Sequence, residues 1–418
     1  MTRNDITLLS PAGSWESLHA AMKAGADAIY FGVEELNMRA RSSKRFTVED
    51  LPHIADLCRE HDIESNLALN TIVYDDDLEQ MRQICDAARE SNISAVIATD
   101  IATLSYARTI DLPVHISTQA NVSNIEAVKF YAQFADVMVL ARELRLEQIA
   151  EIGRQIKQHS IIGPSGERVQ LELFVHGALC VSISGKCYMS LATQNHSANR
   201  GDCLQTCRRR YRVIDESSDQ ELVIDNEFVM SPKDLCMIGH MDKLIEAGAT
   251  VFKIEGRGRA ADYVYHTTKS YRQAIDSYFD GTLSEAKIND WKQVLEGVFN
   301  RGFWDGGYYL GNPLGEWSGA YGSVAKNQKT YVGYVVNYFN KPQVAQFSVE
   351  TGELQVGDTI AVIGPTTGYE ERQLTSMHVN EKPATSAHKG DEVTIPFDVK
   401  LRRNDKLYVI RERSDWQS

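Results

Sequence analysis

From its first residues the chain alternates short runs of β-branched and aliphatic residues with longer stretches whose apolar positions recur every three or four places. The runs Ile6–Ser10, Ala28–Gly32, Glu64–Asn70, Ala95–Asp100, Val114–Gln119, Val137–Glu143, Gln170–Gly177 and Thr250–Gly256 predict eight strands. Trp15–Ala24, Val48–His61, Leu78–Ser91, Asn124–Phe134 and Leu146–Lys157 predict amphipathic helices, each following a strand by a short loop. Tyr263–Tyr278 reads as the eighth helix and Glu285–Phe299 as one more. Repeated βα units of this number predict an α/β fold, a closed (β/α)8 barrel of the TIM type; an open doubly wound sheet is the alternative that strand number alone does not exclude. The long stretch between the seventh and eighth strands is then an insertion in the barrel.

After residue 300 the pattern changes. Residues 301–322 (RGFWDGGYYLGNPLGEWSGAYG) have the glycine-rich aromatic composition of a linker or surface loop, with Trp304 and Trp317 as candidate packing anchors. Beyond them TYVGYVVNY, QVAQFSVE, GDTIAVIG, DEVTIPF and KLYVIRER alternate polar and apolar positions between Gly-Asp turns, which predicts a small antiparallel β-barrel. The expected domains are therefore 1–322, with the insertion at about 178–230, and 328–418.

The insertion holds the chain's most distinctive chemistry. Cys180, Cys187, Cys203 and Cys207 form a C-x6-C-x15-C-x3-C set, broken by Gly185 and Gly201, where the backbone can turn and bring the sulfurs together. Thiolates are the soft ligands that zinc and iron–sulfur clusters select. Disulfides need an oxidising compartment, and the opening MTRNDITLLSPAG carries no apolar stretch of signal-peptide length before its proline, so a cytoplasmic location is expected. Zinc usually sits on two C-x2-4-C knuckles, and only Cys203 and Cys207 come near that spacing. An iron–sulfur cluster is the reading favoured over zinc, disulfides or unrelated buried thiols.

Charge narrows the partners. Lys and Arg total 44 against 57 Asp and Glu, a net charge of −13, which argues against a surface that coats nucleic acid and confines any RNA contact to a local patch. The densest basic run is Arg208, Arg209 and Arg210 with Arg212, directly after the last cysteine of the set; it is either a solvated face or an anion site. No run of 18 apolar residues is present to cross a membrane.

In a barrel, functional side chains belong at the C-terminal ends of the strands. Asn70, Asp100, Thr118 with Gln119, Arg142 with Glu143, His176, and Lys253, Glu255 and Arg257 occupy such places. Any one of them is as well explained by a cap or a loop hydrogen bond; together they mark a mouth. Gln119, His176, Lys253 and Glu255 are the candidate catalytic groups. Gly256–Ala261 matches a relaxed dinucleotide fingerprint, but it follows the last strand rather than the first, and Asp276 falls inside a helical pattern. The same glycines, with Arg257 and Arg259 at a helix start, suit a phosphate or carboxylate, and Arg39 and Arg41 after the second strand could add to that site. H-E-x-x-H and G-x-S-x-G are absent, so the common protease and esterase signatures are missing; a cysteine nucleophile beside His176 would consume a thiol of the set.

At ELFVHGALCVSISGKCYMS the chain resembles the signature of the collagenase-like peptidase family thirty-two of unknown catalytic type, through Glu172, Phe174, Gly177, Cys180, Gly185, Cys187 and Ser190. LLSPAG at Leu8, GADAIYFG at Gly25, STQAN at Ser117, NRGDCLQTCRRRY, MSPKDL at Met230 and KIEGR at Lys253 extend the resemblance over most of residues 1–300. The C-terminal segment is similar to the family's terminal barrel, which is like the second domain of elongation factors. The resemblance implies an iron–sulfur protein of RNA hydroxylation, with a 4Fe–4S cluster on Cys180, Cys187, Cys203 and Cys207. In motif layout it is nearest the branch that acts on the tRNA wobble uridine to give 5-hydroxyuridine, with prephenate implicated as co-substrate. Other branches act on ribosomal RNA, on ubiquinone, or carry the collagenase name. Cys236 is a replacement ligand on one reading and a packed helix thiol on the other. The expected partners are tRNA, met by Arg209 and Arg210, and a small carboxylate, met by Arg39, Arg41, Asn70, Arg142 and Arg257. A peptidase acting on protein is the competing function.

Overall fold

The computed structural model describes residues 1–39, 46–211, 228–312 and 317–414. Strands β1 (Thr7–Pro11), β2 (Ala28–Phe31), β3 (Glu64–Ala68), β4 (Ala95–Ala98), β5 (Val114–Ile116), β6 (Val137–Val139) and β7 (Gln170–Gly177) pair in parallel, each with the next. A short β8 (Asp234–Cys236) adds antiparallel to the end of β7, and β9 (Val251–Ile254) pairs in parallel with both β7 and β1. That double pairing closes a ring of eight parallel strands and rules out the open sheet.

Strands covered on both faces read as unbroken apolar runs, and β2 (AIYF) and β4 (AVIA) are buried at every position. Helices α1 (Trp15–Lys23), α2 (Leu51–Glu60), α3 (Leu78–Glu90), α4 (Ile101–Thr109), α5 (Ile125–Tyr131) and α6 (Leu146–Gln158) follow β1 to β6 in turn. Three of the six starts, those of α1, α4 and α5, are fixed by side chains that accept orphan backbone N–H groups: Ser14 from Ser17, Asp100 from Ala102 and Asn124 from Ala127. Asp100 is thus a cap. The insertion contains a short α7 (Met189–Gln194); α8 (Met241–Glu246), α9 (Ala261–Phe279) and α10 (Glu285–Gly297) complete the barrel segment. Inside the ring, Leu9, Ala28, Tyr30, Ile97, Val137 and Val251 form a buried cluster separate from the larger layer between strands and helices. Among the described residues no helix is long and apolar enough to cross a membrane.

Two expectations need correction. The stretch after residue 300 is no linker where Phe303–Asp305 form β10, parallel to β8, with its central Trp304 buried as a packing anchor. Cys236 is a packed thiol, but on strand β8 rather than on a helix, because its backbone pairs with His176 on one side and Asp305 on the other.

The C-terminal part is antiparallel throughout. Its strands are β11 (Asn327–Phe339), β12 (Val344–Val349), β13 (Glu353–Gln355), β14 (Thr359–Gly364), β15 (Gly368–Gln373), β16 (Met377–Val379), β17 (Lys382–Ala384), β18 (Ser386–His388), β19 (Glu392–Pro396) and β20 (Lys406–Glu412). Eight of them run in the order β15-β14-β20-β11-β12-β19-β16-β17, with β13 and β18 as a separate pair, and they enclose one core that includes Val335, Phe347 and Phe397. This sheet docks on α1 and α9. Ala20 and Ala261 meet Ala361 and Tyr369, ringed by ion pairs of Lys23 with Glu370 and Asp262 with Lys329 (2.7 Å) and by the contact of His266 with Glu371 (3.1 Å).

The closest approach is at Gly368, where φ is +68° and an added Cβ would stand 2.9 Å from the backbone nitrogen of Ala20. Gly368→Val should therefore lower stability by about 1–3 kcal/mol in denaturant unfolding. Gly319→Ala, where an added Cβ has nothing within 4 Å, should change it by less than about 0.5 kcal/mol.

Candidate functional site

The insertion folds back over the C-terminal ends of the strands, and arginines stitch it there. Arg208 donates to the carbonyls of Leu179 (2.5 Å) and Pro232 (2.7 Å) and to the Ser231 hydroxyl (3.0 Å). Arg200 donates to the carbonyl of Ile72 (2.7 Å), pairs with Asp77 and lies 4.1 Å from the Tyr74 ring centre. The chain passes so close to the β2 loop at Gly201 that a Cβ there would meet the Asn37 carbonyl oxygen at 2.3 Å. Arg208, first of the basic run, is consequently a structural tie. Arg209 and Arg210 are exposed, with Arg210 5.6 Å from the Phe228 ring centre; Arg212 and Arg41 lie outside the described residues.

Cys180, Cys187, Cys203 and Cys207 are all free and half-buried, unlike Cys58, Cys85 and Cys236, which are buried. Burial pushes the Cys207 thiol up to about 11; Arg208 opposes this, while the neighbouring Cys180, Cys203 and Cys187 add to it. The four sulfurs are thus electrostatic neighbours. They do not form a closed ligand shell: among the described residues no three His, Cys, Asp or Glu side chains are gathered as metal ligands. In donor chemistry the set fits a soft metal centre; in geometry it is assembled at the mouth without being drawn together.

Beside the thiols lies a charged array. Arg39 donates to Glu255 at 2.8 Å, and the Tyr30 hydroxyl donates to the Ile254 carbonyl (2.9 Å) and lies 3.3 Å from Glu255. Arg257 is 6% exposed and donates to the Asn37 side chain at 3.1 Å. Asn70 accepts from the Met38 backbone at 3.2 Å, which fixes the loop that carries Arg39. Burial works against a charged Glu255, but the charge and hydrogen bond of Arg39, then Arg257 and Arg142, outweigh it and bring the carboxyl down to about 2. Three guanidinium groups thus surround the one carboxylate of Glu255.

Deeper in the barrel, Lys253 on β9 and Glu172 on β7 form a buried ion pair of 2.6 Å. The ammonium lies 4.6 Å from the ring centre of Tyr30 and 5.5 Å from that of Phe174. His115 stands 3.9 Å from the second oxygen of Glu172; burial, then the charge of Lys253, push its pKa down to about 3, so it is neutral. Both polar atoms of the buried Asn66 amide lack a protein partner, as does one oxygen of Glu172. Gln119 is 5% exposed; its oxygen accepts from Ser117 at 2.9 Å, while its amide nitrogen, which lacks a partner, faces Gly185.

His176 lies apart from these groups. It is 1% exposed, packed among Tyr263, Tyr271 and Phe303, and contacts the Tyr271 hydroxyl at 3.3 Å. Burial, then Arg259, push its pKa down to about 3. The structure therefore gathers Arg39, Asn70, Arg142, Glu255 and Arg257 around the mouth with the thiols, sets Lys253 and Gln119 below and beside them, and places His176 behind the wall. Sequence reasoning missed the pairing role of Glu172 and the presence of His115 and Asn66. The signal was available: each is a polar residue buried within a barrel strand, among mostly apolar neighbours.

A closed (β/α)8 barrel whose mouth is covered by a four-thiol insertion, joined to a C-terminal antiparallel sheet, defines the class of protein. Residues 13–319 match the family model Peptidase family U32, and the chain belongs to that family. It is 50% identical over 415 residues to a collagenase of Porphyromonas gingivalis, covering 99% of this chain and 100% of that one. Similarity at 32% over 322 residues links it to tRNA hydroxylation protein P of Helicobacter pylori, covering 74% of this chain and 73% of the other. A 23S rRNA 5-hydroxycytidine synthase of Escherichia coli is 33% identical over 311 residues, 72% of this chain and 45% of that protein.

Two outcomes are expected of the charged groups. Lys253→Met leaves Glu172 buried without its partner and should cost about 3–5 kcal/mol, whereas the double change with Glu172→Leu should recover most of that in denaturant unfolding. Glu255 has a depressed pKa in the folded chain, so its contribution is present above the ordinary carboxylate range and fades as pH falls. Wild type should melt above Glu255→Gln at neutral pH, with the gap closing from about pH 4 toward 2.

Proposed function

We propose that this chain is an RNA hydroxylation enzyme of the cytoplasm that converts the tRNA wobble uridine to 5-hydroxyuridine. The observation that carries the reading is the gathering of four half-buried thiols at a barrel mouth beside Arg39, Arg142 and Arg257. Cys180, Cys187, Cys203 and Cys207 would hold a 4Fe–4S cluster, which supplies one-electron redox chemistry when bound.

The chain's own residues have separable tasks in this reading. Arg257, with Arg39 balanced by Glu255, holds the carboxylate of a small co-substrate such as prephenate, while Arg142 faces the adjoining pocket. Asn70 fixes the loop of Arg39. Lys253 and Gln119 present donors toward the site from below and beside it. His176, neutral and enclosed, supports the wall rather than moving protons. Arg209 and Arg210 meet RNA phosphate on the outer face.

Peptidase activity is the second reading, favoured by the 50% identity to a collagenase. The geometry weighs against a cysteine nucleophile activated by His176: such a pair needs the base beside the thiol, and His176 is 1% exposed and enclosed by Tyr263, Tyr271 and Phe303. Hydroxylation of ribosomal RNA is a variant of the first reading, supported by the 33% identity to the 23S rRNA synthase.

Anaerobically purified protein should be brown and carry about four iron per chain, and serine at any of the four cysteines should abolish the colour, while Cys236→Ser should retain most of it. Deleting the gene should remove one hydroxylated pyrimidine from digested tRNA, and the serine variants should fail to restore it. Stoichiometric zinc without iron would overturn the cluster. An unchanged nucleoside profile in both tRNA and rRNA, with gelatin cleavage by the serine variants, would overturn hydroxylation in favour of the peptidase.

A further inference from the structure

A pocket of about 300 Å³ opens beside Cys180, bounded by Thr118 and Asn121 after β5, Arg142 and Glu143 after β6, the 179–184 segment and Tyr308. Its walls are built rather than incidental. The Arg142 guanidinium lies 4.1 Å from the Phe174 ring centre and donates to the Ala178 carbonyl at 3.4 Å, so its plane is fixed, and its buried Nε has no protein partner. Tyr308 is held edge-on against Trp304 at 4.7 Å. Asn121 occupies the left-handed region at φ 55°, a conformation that sets it at the rim. Glu143 is the exposed carboxylate of the pocket.

We propose that this pocket seats one uracil base flipped out of the RNA, with Glu143 as the residue that selects it. The inference rests on the hydroxylation reading and adds the place and the selecting group. Chemistry on a base held in structured RNA requires that the base leave its stack, and an aromatic ring offers it a new stacking surface, here Tyr308. Uracil presents two carbonyl acceptors flanking one N3–H donor. Arg142, with the Thr118 hydroxyl or the Asn121 amide, supplies donors for the carbonyls, and the Glu143 carboxylate accepts from N3–H. Cytosine presents a bare N3 lone pair at the same place, which a carboxylate repels. The volume lies at the small end of small-molecule pockets, which suits a single base and not a peptide segment. Cys180 in the wall puts the base next to the thiol set.

The test uses the full-length protein and short RNA hairpins that carry uridine or cytidine at one loop position. Wild type should bind the uridine hairpin about tenfold more tightly by fluorescence anisotropy, and Glu143→Gln, whose amide can donate to N3 of cytosine, should bring the two within about twofold. Asn121→Asp keeps a residue that tolerates the left-handed backbone and should weaken both hairpins. Unchanged thermal melting would show that neither variant acts through folding. A 4-thiouridine at the same loop position should photo-crosslink to the 179–184 segment or Tyr308. Equal binding of the two hairpins by wild type, or crosslinks confined to the Arg209 face or the C-terminal sheet, would overturn the pocket while leaving RNA hydroxylation in place. Absence of both hairpin binding and any nucleoside change on gene deletion would overturn the two together.

Discussion

The parallel ladder between β7 and β9 is the constraint on which the molecule depends. The chain leaves the ring at Gly177, forms the insertion and β8, and returns at Val251, where β9 must find β7 on one side and β1 on the other. The Lys253–Glu172 pair crosses this seam inside the barrel. A charge pair taken out of water yields little net stability, yet either charge alone would be expensive there, so the wrong register between these strands is penalised heavily. The site depends on the same seam. Glu255 and Arg257 leave the end of β9, and the thiols leave the end of β7.

Charge at the mouth follows from what burial permits. Guanidinium groups can be enclosed when their planes are stacked or bonded, as Arg142 is on Phe174 and Arg257 on Asn37. Two carboxylates, Glu255 and the exposed Glu143, offset three guanidinium groups in part, and the excess is positive although the chain as a whole carries −13. The acidic surface and the basic mouth are not in conflict: anionic ligands are disfavoured over most of the molecule and favoured at one opening.

All eight barrel strands were legible because buried parallel strands are continuous apolar runs bounded by turn residues, a signal local to each run. The strand-end rule pointed to Asn70, Arg142, Glu255 and Arg257, since position along a strand fixes which end a residue serves, and Arg39 was added from the stretch after the second strand; the fold brings these five to one mouth. Partners were not legible. That Glu172 meets Lys253, or that Arg208 is consumed by Leu179, Ser231 and Pro232, depends on register between segments far apart in sequence. His176 illustrates the reverse error of emphasis: its place at the end of β7 is right for chemistry, but β8 pairs over that end and Tyr263, Tyr271 and Phe303 enclose the ring. Trp304 was legible as a packing anchor, but the short strand around it was not, because glycine-rich composition outweighs three residues in a local reading.

The seam between the C-terminal sheet and the barrel has a practical meaning for anyone dividing the molecule. Ala20, Ala261 and Tyr265 face Tyr369, Ile363 and Ile410, and they are covered only while the sheet is in place. A shortened chain ending before β11 would present that apolar face to water at the root of α9, the helix that begins just after Arg257 and Arg259. Self-association through that face is the natural fate of such a fragment, so the barrel is better regarded as one half of a solubility pair than as a freestanding catalytic module.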